Sequence, residues 1–206
     1  VKADAASARR IAEGVETHAG KEAWLTLTWA FRHADRGKEA LLAEYIRLCV
    51  RHGPRTLQRL VDPEVRETVR RARGVRSEAH RFVGLLRFQA VAGGWYARFE
   101  PDHDVLGMLV GAFHDRMEGV DWMLHDTERQ KAWICRQGVG QGVSGVKVPL
   151  SLGMEWTEAA AQDLWKKYFK NIAIPDRINP TVQRGRMPVK TWKNLVEQPG
   201  RSSASY

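Results

Sequence analysis

Two short stretches carry the side chains best suited to chemistry: Glu100, Asp102, His103 and Asp104 in one, His125 and Asp126 in the other. Four carboxylates and two imidazoles drawn together could hold a divalent metal or do acid–base work. An imidazole titrates near neutrality, and a carboxylate beside it orients it or takes its proton. Glu100, His103, Asp104, His125 and Asp126 are the catalytic candidates for that chemistry, with His80 as a neighbour. A second reading needs no chemistry. Asp102 and Asp104 suit the cap of a helix beginning near Val105, and Asp126 suits a turn. No serine, cysteine or lysine nucleophile stands out. Cys49 falls at an apolar helical position and Cys135 in a strand, both best read as small buried hydrophobes. His18, His33, His52 and His114 have no companions along the chain and receive no role. No cofactor and no set of metal ligands is assigned.

The elements that must position those residues change character along the chain. Lys21–His33 and Glu39–His52 carry apolar residues at helical spacing, and Gly53-Pro54 ends the second. Asp62-Pro63 opens a helix that runs to Gly74, and a further helix follows over Ser77–Leu85. Val1–Ala19 reads as a weakly patterned charged helix. At Leu86 the period falls from 3.6 to two: Leu86–Val91 and Trp95–Glu100 alternate about Gly93-Gly94, a strong hairpin signal. After a short helix over Val105–Met117, Asp121–Asp126 and Lys131–Arg136 make a second hairpin. Gln137–Gly153 reads as a glycine-rich loop, Trp156–Ile174 as an amphipathic helix, and VKTWKNL as a last helix.

This order predicts a single α+β domain over 1–197: N-terminal helices, a central four-stranded antiparallel β-meander and C-terminal helices, with a polar tail over 198–206. The spacing Gly140-x-Gly142-x-x-Gly145 matches a dinucleotide fingerprint only on paper. VKVPLS, which follows, opposes the helix that the fingerprint must open, and no phosphate-loop Lys-Ser or Lys-Thr is present.

Charge points to a partner. In 206 residues, 33 Lys and Arg stand against 24 Asp and Glu, a net +9. The excess is segregated: Arg51–Arg87 holds ten arginines against four acids, and Lys166–Lys193 eight cations against Asp176. Phe99–Glu128 between them holds eight acids against Arg116. Two basic blocks side by side would make a phosphate-binding face. In the C-terminal block, cations interleave with aromatics as phosphate contact plus base stacking would require. Arg73, Arg76, Arg81, Arg177, Asn179, Arg184, Arg186, Lys190 and Trp192 are the nucleic-acid-binding candidates. With two isolated cysteines, no apolar run of membrane length and no signal-peptide pattern, the expected setting is the cytoplasm.

The segments SEAHRFVGLLRF, WYARFEPDHDVL, WMLHDTER and LWKKYFKNIAIPDRINPTVQRGRMPVKTWKNL follow one another as in a bacterial family of uncharacterised proteins. From about Ala30 to Glu197 the chain resembles that family, whose members are described as probable DNA-metabolism or putative DNA-repair proteins. They are typically encoded beside a radical-SAM protein, and a similar domain is fused to uracil-DNA-glycosylase-like proteins that bind uracil in DNA. Arg81, His103, Asp104, His125, Arg177, Asn179, Arg186, Pro188 and Trp192 fall within its recurring motifs. Two features depart from the pattern. The short opening segment of the family is not recognisable ahead of Val1, which reads as truncation or divergence, and the insert at Gly138–Gly145 is long. The resemblance implies a DNA-binding accessory protein working with a radical-SAM or glycosylase-like enzyme in repair or base modification. The alternative is an enzyme acting on DNA bases or nucleotides through the acidic–histidine residues. A weaker third reading is an interaction scaffold whose basic faces serve solubility.

Overall fold

The computed structural model describes residues 4–91, 94–146 and 180–194. The architecture is α+β, helices first and then a mixed five-stranded sheet. The chain divides into two compact units, Val1–Glu78 with Asp102–Asp104, and Ala79–Pro101 with Val105–Tyr206.

The first unit is helical. Helix α1 (Ala5–Ala19) starts where the Asp4 carboxylate accepts from the Ala6 and Ser7 amides, satisfying donors that the first turn leaves orphaned. Its charged sequence hides a real anchor, for Val15 and Ala19 are buried. Helices α2 (Lys21–Phe31) and α3 (Lys38–His52) bury Ala23, Leu27 and Ala30 against Leu42, Tyr45, Leu48 and Cys49 in the same cluster. The Tyr45 hydroxyl donates to the Ala23 carbonyl, so its burial leaves no orphan. A 3-10 segment, Gly53–Gln58, leads to α4 (Pro63–Leu85).

Helix α4 corrects the expectation of two helices split at Gly74. Ala72, Val75, Ala79 and Phe82 are all buried and recur every three or four residues, so one apolar stripe runs through the glycine. A single helical glycine costs only about 1 kcal/mol relative to alanine, too little to break that stripe.

In the second unit, β1 (Gln89–Val91), β2 (Gly94–Phe99), β3 (Trp122–Asp126), β4 (Lys131–Arg136) and β5 (Val139–Ser144) lie in sequence order across the sheet. The sheet is not the four-stranded antiparallel meander that alternation suggests. β2 and β3 are parallel, with Ala97 opposite Leu124 and Phe99 opposite Asp126. Parallel neighbours need a crossover, and α5 (Leu106–Arg116) supplies it. Phe82, Phe99, Leu109, Phe113, Trp122 and Leu124 are buried, with Phe82 edge-on to Phe99 and Phe88 meeting both Phe113 and Trp122.

The fifth strand replaces part of the expected glycine-rich loop. Gln137 and Gly138 both have positive φ, the geometry of a two-residue hairpin turn whose twist suits the flanking strands. Gly140 and Gly142 then lie under the Trp133 indole, and a Cβ at Gly140 would stand 2.6 Å from its Nε1. The alternating glycines are thus a seat for tryptophan rather than a phosphate cradle. Near the end of the chain stand a short helix α6 (Pro180–Arg186) and a 3-10 segment, Val189–Asn194, the latter where a last helix is expected. The amphipathic stretch Trp156–Ile174 and the tail 198–206 lie outside the described residues. Among the described residues no helix is long and apolar enough to cross a membrane.

Candidate nucleic-acid interface

Helix α4 puts Arg66, Arg70 and Arg73 at i, i+4 and i+7, one exposed row along one helix face. Their charges are held differently. Arg66 donates to the Leu60 carbonyl at 3.3 Å. Arg70 forks onto Glu67 with two bonds of 2.7 Å, while Arg71 Nε reaches the same carboxylate at 2.8 Å. Those guanidinium hydrogen bonds push the Glu67 carboxyl down to about 2, so it stays charged throughout the physiological range. Arg73 has no acidic partner among the described residues and projects into solvent. Arg76 lies over the Trp29 ring, 5.2 Å from its centroid. A row of this kind can neutralise successive phosphates, with a cation–aromatic pair beside it.

Helical spacing makes Arg66 and Arg70 companions of Arg73, although the sequence reading selects only Arg73, Arg76 and Arg81 from this block. In the second unit Arg81 is half-buried, Arg184 and Arg186 are exposed on α6, and Lys190 is half-buried. Trp192 is buried, with its indole N–H donating to the Met187 carbonyl, so the expected stacking aromatic is a packing residue in this arrangement. Arg177 and Asn179 lie outside the described residues.

The acidic–histidine residues divide between the two units. His103, with Asp102 and Asp104, groups with the first. Its Nδ1 accepts from the Ala34 amide at 3.2 Å, and its ring stacks on His33 with centroids 4.3 Å apart. The buried Glu78 accepts from the Asp102 and His103 amides, 2.8 Å each, and clamps this connection to α4. On its other side the Arg32 guanidinium donates to the Asp104 carbonyl, and the Asp104 amide donates to the Arg32 carbonyl. His33, isolated along the chain, is therefore the companion of His103 in space. Seventy residues separate them, and no local pattern could pair them. The N-cap position of α5 is Val105, one residue beyond Asp104, and its own side chain makes no cap.

Glu100, His125 and Asp126 group with the second unit. His125 is buried, its Nδ1 2.9 Å from the Tyr96 hydroxyl and its Nε2 3.2 Å from the Val146 carbonyl. Burial pushes its imidazole below the ordinary histidine range, against the opposing pull of the Val146 carbonyl and Asp126. Asp126, fully buried, accepts from the Arg129 amide at 3.0 Å and guanidinium at 3.3 Å, shaping the turn into β4. Glu100 is half-buried, and His80 is exposed. Among the described residues no three His, Cys, Asp or Glu groups converge well enough to hold a metal ion. A cavity of about 390 Å³ in the second unit is lined by His114, Asp115, Glu118, Trp122 and Cys135 among others. Its acidic rim is unsuited to phosphate. Cys49 and Cys135 are free and buried, as their apolar positions predict.

A family model described as a domain of unknown function, DUF4130, matches residues 36–197. The chain belongs to that family. No curated protein and no solved structure matches it. The family span takes in the α4 arginines, Glu78, His103, His125 and the whole described sheet, while α1, α2 and His33 precede it.

Proposed function

We propose that this protein is a DNA-binding accessory module of DNA repair or base modification, working with a radical-SAM or glycosylase-like enzyme in the cytoplasm. The observation that carries the DNA-binding part is the exposed row Arg66, Arg70 and Arg73 on one face of α4. It supplies cations at helical spacing, while the acids of the cavity described above are confined to a different unit. The exposed Arg184 and Arg186 extend the basic character to the end of the chain. The enzyme partner rests on the family resemblance, and the reducing compartment on two buried free thiols. Catalysis through the acidic–histidine residues has weaker support. Asp126 is spent on Arg129, and His125 is enclosed between Tyr96 and Val146.

The test is a salt titration of affinity for duplex DNA. With about six phosphates neutralised, log K falls against log salt with a slope near −5. Replacing Arg66, Arg70 and Arg73 together by alanine makes the slope shallower by about 0.9 for each phosphate that the row neutralises in the parent. Affinity that is flat with salt overturns the reading, as does a triple variant with the parent's slope and affinity.

A further inference from the structure

The turn between α2 and α3 presents two consecutive backbone donors to two stacked imidazoles. The Ala34 amide donates to His103 Nδ1, and the Asp35 amide donates to His33 Nδ1, each at 3.2 Å. A ring nitrogen that accepts a hydrogen bond carries no proton, so both rings are held neutral with the proton on Nε2. The ring centroids stand 4.3 Å apart, a distance at which two imidazolium ions repel. His103 belongs to the short 102–104 connection, held on one side by Glu78 and on the other by Arg32 and Ala34.

We propose that the His33–His103 pair is an acid-sensitive latch on the α2–α3 turn: neutral, it accepts from the Ala34 and Asp35 amides, and protonated, it gives both up. The latch goes beyond the DNA-binding reading and does not depend on it.

A proton on His103 Nδ1 points at the Ala34 N–H, so the hydrogen bond becomes a contact between two donors. His33 has an alternative. Asp35 Oδ2 lies 3.5 Å from His33 Nδ1 and also 3.5 Å from Arg71 Nη2. A protonated His33 competes with Arg71 for that one oxygen and gives up the Asp35 amide. Among the described residues, the charged groups near the pair come from the turn, from α4 and from the 102–104 connection. The turn supplies Arg32, Asp35 and Lys38, the last bonded through Nζ to the His33 carbonyl. Helix α4 supplies Arg70, Arg71 and Glu78, and the connection supplies Asp102 and Asp104. Asp35 favours protonation of His33, whereas burial, His103, Arg71 and Arg70 oppose it, and the opposing set wins. Folding therefore favours neutral His33. Its contribution is complete above the unfolded histidine value of 6.5 and is lost as pH falls through its depressed folded value.

Two measurements on the full chain test this. Imidazole nitrogen shifts at about pH 7.5 should show His33 and His103 both as Nε2–H tautomers; a proton on Nδ1 of either ring overturns the proposal. Amide hydrogen exchange at Ala34 and Asp35, corrected for intrinsic rate, should then lose protection on acidification through the range in which the two imidazoles titrate. The expected loss is about tenfold per pH unit below the midpoint for one linked proton. Protection that persists while the two imidazoles titrate overturns it. His103→Asn keeps an acceptor near the Nδ1 position but cannot titrate, so Ala34 protection in that variant should no longer respond to acid. An unchanged acid response in His103→Asn overturns it as well. The tautomer measurement needs no variant and stands if His103→Asn fails to fold.

Discussion

His103 and His125 come from one acidic stretch of sequence, yet the two units use them in opposite ways. In the helical unit His103 is half-buried and meets a backbone amide and a second imidazole, so its ring works as an acceptor at an adjustable joint. In the sheet unit His125 is buried on a strand, fixed at both nitrogens by a phenol and a carbonyl. A residue type with catalytic potential is thus defined by what meets its ring nitrogens. Both rings make bonds that organise the chain.

The largest effect should come from the joint's anchor. Glu78→Ala removes two charge-assisted bonds to the Asp102 and His103 amides, and should cost about 3 kcal/mol at roughly 1.5–3 kcal/mol each, discounted for partial exposure. Chemical denaturation checks the size. If the loss is negligible, the 102–104 connection is held by something other than its carboxylate clamp. On the sheet side, Gly140→Val drives a branched side chain into the Trp133 indole and should cost about 1–3 kcal/mol as overpacking. A variant as stable as the parent would mean that Trp133 swings away freely.

Smaller still is Tyr96→Phe, which deletes one partly buried hydrogen bond to His125 and should cost about 1 kcal/mol. It also sharpens the pH comparison. Burial is the main cause that depresses His125, so the phenylalanine variant should keep that imidazole low in an NMR titration. Stability contributed by neutral His125 is present above the unfolded histidine value of 6.5 and declines as pH falls through the depressed folded value. A return of His125 to the ordinary range in Tyr96→Phe would assign the shift to the phenol instead. The smallest change belongs to α4: Gly74→Ala should be neutral or stabilise by up to about 1 kcal/mol, because its Cβ would make only an ordinary 3.6 Å contact with His103.

What is legible in the sequence follows the range of the interactions. Helices α2, α3 and α5 and the β3–β4 hairpin are readable because their signals, apolar spacing and turn residues, act over a few positions. The β4–β5 hairpin is equally local, but four glycines in the eight residues Gly138–Gly145 read as a loop, and the Gln137-Gly138 turn goes unread. Only Trp133 across the ladder shows why glycine is required there. The parallel β2–β3 register is not legible, since alternation reports which face a strand buries and not which way its neighbour runs. The site divides similarly. The arginine row on α4 is a matter of helical spacing, whereas the His33–His103 and Tyr96–His125 pairs join residues that no local rule connects.

The one parallel pair also carries a kinetic consequence. β1 with β2, and β3 with β4 and β5, are joined by connections of two to four residues, whereas the β2–β3 seam closes over the 22 residues from Glu100 to Asp121. Closing that loop costs more chain entropy before any ladder bond repays it, so the seam should zip last, between two preformed ribbons. Substitutions at Ala97 and Leu124, which face each other across it, should then speed unfolding and leave the folding rate nearly untouched, while a slowed folding limb would move the seam into the nucleus. The sheet is in this sense two hairpin pieces with a late weld, and the weld is where a destabilised chain should first come apart.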